Sequence, residues 1–147
     1  MHKNLDKRLS GLIGAAALFI GGAVATAQDL PVSASPEGAE VYIVSPADGD
    51  TVGTEFTVVF GLKGMGVAPA GTDAEHSGHH HLLVNQESLP EPGKPMGNPP
   101  LHFGKGQTET TLTLEPGTHT LQLVLGNYLH IPHDPVVASE KITITVK

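Results

Sequence analysis

Ser77-Gly78-His79-His80-His81-Leu82-Leu83-Val84-Asn85 is the stretch on which the fold of this chain turns. Three imidazoles run into a short apolar segment bounded by Gly78 and Asn85. A run of this length between turn-forming residues reads as a strand rather than a helix. Side chains alternate across a strand, so His79, His81 and Leu83 share one face and His80, Leu82 and Val84 the other. Two histidines two positions apart on one face can present two nitrogens to a single ion, which leaves His80 as a structural member. Histidine titrates near neutral pH and is the commonest metal ligand, so the triplet carries the chemical potential of the chain.

Working outward, the flanking segments are also short strands. Before the triplet, Phe56, Val58, Phe60 and Leu62 alternate along residues 55–62, and Glu40–Val44 reads as an earlier strand. After it come Leu101-His102-Phe103, residues 107–114, residues 118–126 with Leu121, Leu123 and Leu125 in alternation, and residues 138–147 with Ile142, Ile144 and Val146. Turn signals separate them: Ser45–Asp50, Gly104-Lys105-Gly106 and Pro116-Gly117. The acidic turn Asp48-Gly49-Asp50 lacks the spacing of a calcium loop. The glycine-rich loop over 63–78 lacks the Gly-Lys-Ser/Thr ending of a phosphate cradle, and its length marks it as functional. The pattern predicts an all-β, immunoglobulin-like antiparallel β-sandwich of about seven strands over residues 40–147.

The ends and the composition narrow the function. Lys3, Lys7 and Arg8, then an apolar, uncharged run over residues 9–25 and a small-x-small Ala25-Thr26-Ala27, form the pattern of a cleavable signal peptide over residues 1–27. Residues 28–39 read as a flexible lead-in. The expected location is the periplasm or outside the cell, with no stable membrane span after cleavage. Removing Lys3, Lys7, Arg8 and Asp6 leaves five basic groups against fourteen acidic ones. So acidic a chain, with few aromatics, is not a nucleic-acid binder. There is no cysteine, so disulfides, thiolate ligands and thiol nucleophiles are excluded.

In an antiparallel sandwich of this type, alternate connections lie at one end. That places the loop before the triplet, the turn after His102 and the last loop together, which delivers His76, His79, His80, His81, His102, His130 and His133 to one pole. The expected ligands are His79, His81, His102, His130 and His133. Weaker candidates are His76, His80, the Met65 thioether and the Asp134 carboxylate, and Met96 is a further thioether beside the loops. His119 falls at the opposite pole, just after Pro116-Gly117, where a side chain that bonds back to the backbone is expected. Imidazoles with carboxylates nearby (Glu75, Asp134) suit Cu(II) or Zn(II), with nickel a third option, and copper wins in a mixed supply. An N-terminal copper clamp is excluded, because cleavage after Ala27 leaves Gln28 first.

Gly64-Met-Gly-Val-Ala-Pro-Ala-Gly71, Gly78-His-His-His-Leu-Leu-Val84, His102-Phe-Gly-Lys-Gly-Gln-Thr-Glu109, Pro116-Gly-Thr-His-Thr-Leu-Gln-Leu123 and the His130/His133 loop together resemble a family of small bacterial exported domains of unknown function. More loosely, Ser45-Pro46-Ala47-Asp48-Gly49 and a histidine in the last loop resemble periplasmic copper-carrier sandwiches, although the histidine those carriers have near the mature N-terminus is missing here. The first expectation is therefore an exported metal binder for carriage, buffering or sensing. The second is a module whose histidine pole contacts an envelope protein partner or a non-metal ligand. Enzymatic activity is not expected, and its nearest form is metal-assisted hydrolysis with Glu75 or Asp134 as base.

Overall fold

Alternation of apolar residues sets the strands, and burying their apolar faces against one another sets the layers. A computed structural model describes residues 30–147; the signal peptide expected over 1–27 lies outside the described residues. One sheet contains β1 (Glu40–Ser45), β3 (Glu55–Lys63) and β7 (Glu109–Thr113), in the order β1-β3-β7. The other contains β2 (Thr51–Val52), β4 (Gly66–Val67), β5 (Ser77–Val84), β6 (Leu101–His102), β8 (Gly117–Gly126) and β9 (Ile142–Val146). Its order is β2-β9-β8-β5-β4, with β6 also pairing β5. Between the two sheets, Val41, Val58, Phe60 and Leu112 meet Leu82, Leu121, Leu123, Leu125, Ile144 and Val146.

The expected sandwich is present, with two refinements. The described residues form nine strands rather than about seven, and two pairs, β2 with β9 and β4 with β5, are parallel. Both extra strands are two residues long, too short for any periodicity to show in the sequence. β4 lies inside the loop expected over residues 63–78, so that loop is partly a sheet edge. The acidic turn is an ordinary one: Asp50 Oδ2 accepts from the Ala47 N–H (2.8 Å) and Asp48 Oδ1 from the Thr143 N–H (2.7 Å).

β5 is buried on both faces. His80 and Leu82 face the inter-sheet core, whereas Leu83 joins Met96 and Val124 in a second cluster on the outer face. The loop over residues 87–100 and the β8–β9 loop cover that outer face. Cross-loop hydrogen bonds draw one pole together: Ala68 N–H to Gly78 O (2.8 Å), Ala70 N–H to Gly104 O (2.9 Å) and Gly71 N–H to Tyr128 O (3.0 Å). The lead-in expected to trail loosely is tied to the same pole from its first described residues. Ala34 bridges Asp134, and Asn127 Nδ2 donates to Pro31 O (3.2 Å) and Ser33 Oγ (3.1 Å).

Candidate metal centre

Register alone brings the first three imidazoles together. His79 and His81 project from the outer face of β5, and His81 pairs directly with His102 across the β5–β6 ladder. On the other side, His79 is opposite Gly126 and His81 opposite Val124 of β8. The glycine leaves room for the rings: a Cβ at Gly126 would lie 2.7 Å from His81 Cε1 and 2.8 Å from Met96 Cε. Gly104 does the same for His102, whose imidazole lies against its Cα.

The fourth imidazole comes from the β8–β9 loop. His130 adopts a left-handed backbone (φ 66°), a conformation that costs a non-glycine residue about 1–3 kcal/mol unless its surroundings enforce it. Here they do. The His130 N–H donates to Asn127 O and the Met96 N–H to His130 O, both at 2.8 Å. Buried Asn127 also accepts at Oδ1 from the Leu129 and Ile131 N–H groups (2.9 and 3.0 Å). Ring centroids in the resulting cluster are 4.7 Å apart for His79–His81 and His102–His130, and 5.0 Å for His79–His102 and His79–His130. His81 lies 5.2 Å from His102 and 6.1 Å from His130.

The polar accounting of this cluster does not close among the described residues. His79 and His81 are fully buried, and among the described residues none of their four ring nitrogens has a hydrogen-bond partner. A neutral imidazole carries one donor and one acceptor, and each buried group left unmet costs about 1–3 kcal/mol. Burial first, then neighbouring His130, His102, His80 and His133, push the His79 pKa down to about 4. Burial, then His79, His102 and His130, push His81 down to about 3, slightly opposed by the His79 backbone. His102, although exposed, is also lowered, by desolvation and then by His130. At neutral pH His79 and His81 are therefore unprotonated, the form that ligates a metal. One nitrogen each from His79, His81 and His102 lie within 4.8 Å of one another, and among the described residues the group contains imidazoles only. A tetrahedral ion with 2.0–2.1 Å bonds needs nitrogens about 3.4 Å apart, so modest closure of the rings would complete it.

The remaining candidates stand elsewhere. His80 points into the core, its ring 5.1 Å from Phe60, and burial, weakly opposed by the Gln107 backbone, lowers its pKa to about 4. Its nitrogens are also unpartnered among the described residues, but its ring turns to the inter-sheet side, against Phe60, away from the face that carries His79 and His81. His133 is buried behind Gly78 with Nε2 3.1 Å from Ser77 O and Nδ1 3.4 Å from Leu125 O; a neutral ring donates to one of these, and the shorter contact is to Ser77. His76 is exposed, 3.7 Å from the Glu75 carboxylate. Met65 packs against the main core, and Asp134 is exposed, engaged through its main chain with Ser33 and Ser35. His119 makes the anchoring bond expected of it, Nε2–H to Glu115 O (2.8 Å). The sequence reading missed Asn127, Gly104 and Gly126. An asparagine opening a histidine-bearing loop is the one signal that points to Asn127.

No curated protein and no solved structure matches the chain. Residues 58–147, which include the whole imidazole cluster, match the family described as Domain of unknown function (DUF4399), and the chain belongs to that family.

Proposed function

We propose that this domain is an exported transition-metal binder that holds one Cu(II) or Zn(II) ion with His79, His81, His102 and His130, for carriage, buffering or sensing in the periplasm. The observation that carries this reading is the convergence of two buried, unprotonated and unpartnered histidines with two further imidazoles on one face. A metal would supply the partner that the protein does not. An all-imidazole donor set suits both ions, and copper binds more tightly at equal supply. Glu75 and Asp134 are exposed and lie outside the histidine group, which favours binding over metal-assisted hydrolysis.

Calorimetric titration with Cu(II) and with Zn(II) tests this, using wild type and a His79→Ala/His81→Ala double variant. Wild type should bind at least one ion at micromolar affinity or tighter, and the variant should lose it. Equal weak binding by both proteins would overturn the proposal in favour of a partner-binding surface.

A further inference from the structure

Met96 is buried beside the imidazole cluster, and nothing in the four-histidine reading uses its sulfur. Its methyl carbon and the His81 ring share one space above Gly126, where a Cβ would lie 2.8 Å from Met96 Cε and 3.1 Å from His81 Nδ1. The sulfur is one bond from that methyl. Its backbone is fixed to the same site by the 2.8 Å bond from its N–H to His130 O. With Gly97, Asn98, Leu101, His102 and His130, it also lines a cleft of about 480 Å³ that opens beside the two more accessible imidazoles.

Resting on the metal-binding reading above, we propose that Met96 is a thioether ligand and that the physiological cargo includes Cu(I). A thioether is a soft donor that adds affinity for Cu(I) and little for Zn(II), whereas imidazole serves both. Met65 provides the contrast, since it packs against the inter-sheet core.

The test is an anaerobic titration with Cu(I) against a competing chelator, beside Zn(II) isotherms, for wild type and Met96→Leu, a swap that nearly conserves volume. Cu(I) affinity should fall about tenfold or more, or 1.4 kcal/mol per factor of ten, with Zn(II) affinity within about twofold of wild type. In protein carrying ¹³C-methyl methionine, Cu(I) should shift the Met96 resonance and leave that of Met65 in place. Unchanged Cu(I) affinity in Met96→Leu, or a stationary Met96 methyl at saturation, overturns the thioether and leaves the imidazole site standing. Wild type that binds none of the ions overturns both.

Discussion

The two ends of the β5–β8 pair treat the same side chain in opposite ways. At one end, His79 and His81 are fully buried with four ring nitrogens unmet. At the other, His119 has both nitrogens paired: Nε2–H donates to Glu115 O (2.8 Å), and Nδ1 accepts from Asn85 Nδ2 (2.9 Å). A histidine whose bonds close within the chain is part of the fold. Histidines that gather edge to edge with their bonds open have no such partner among the described residues.

The comparison breaks first at the open end. Replacing His79 and His81 together with alanine should reduce Cu(II) or Zn(II) affinity by about a thousandfold or more, since the proposed site would lose two ligands of one ion. The metal-free variant should nevertheless stay within about 2 kcal/mol of wild type by urea denaturation, because relief of unmet polar groups offsets the cavity left behind. A large loss of metal-free stability would mean that these rings serve the fold as His119 does.

Acid is the next lever, with chelator present to keep the site metal-free. The folded-state pKa values of His79 and His80 are lowered to about 4 and that of His81 to about 3, below the ordinary value of 6.5. Below pH 6.5 the unfolded chain takes up protons that the folded one refuses, so stability is complete above 6.5 and declines as pH falls. Each ring contributes a slope of up to about 1.4 kcal/mol per pH unit, ending near pH 4 for His79 and His80 and near pH 3 for His81. Three such slopes are enough to unfold a domain of ordinary stability before pH 4. Denaturation midpoints that stay level from pH 6.5 to 5 would show that these rings are better solvated than the structure places them.

The difference between the two ends was partly legible in the sequence. Strand alternation separated His79 and His81 from His80, and the order of the crossings sent His102 and His130 to the pole of the triplet and His119 away from it. Which face of β5 turned outward was not legible, because both faces are buried: Leu82 packs inward while Leu83 packs under Met96. That second layer is built by irregular loops, which have no period to read. His133 looked like its neighbour His130, yet three residues of loop turn it onto the Ser77 carbonyl. Gly104 was read as turn punctuation and Gly126 only as the end of a strand, although Gly126 acts as an absent side chain in the wall of the site.

Gly126→Ala sharpens this last point. The added methyl would meet His81 Cε1 at 2.7 Å and Met96 Cε at 2.8 Å, inside normal contact. Overpacking should cost about 1–3 kcal/mol. By displacing the His81 ring, it should also lower metal affinity about 10- to 100-fold, as disturbed ligand orientation does elsewhere. An alanine variant with wild-type isotherms would place the metal away from His81.

The smallest effect belongs to His119→Ala, and it probes the closed end. The ring joins the start of β8 to the end of β5 through Asn85, whose Oδ1 accepts from the Thr120 N–H (3.0 Å) and whose own N–H reaches Thr120 O (2.9 Å). Asn85 itself sits at a positive φ of 56°, so the corner relies on those bonds to hold a left-handed residue. Without the imidazole, the Glu115 carbonyl and the Asn85 amide turn to water, which is close at hand because Glu115 is itself exposed. The expected loss is therefore about 1–2 kcal/mol of stability, seen as a lower melting temperature. His119→Gln, which keeps a donor and an acceptor, should recover part of it. Metal affinity should not change in either variant, since neither the cluster nor its supporting Asn127 touches this corner. A drop in affinity that tracked the drop in stability would show that the two ends of the β5–β8 pair act as one unit, with strand register as the quantity that couples them.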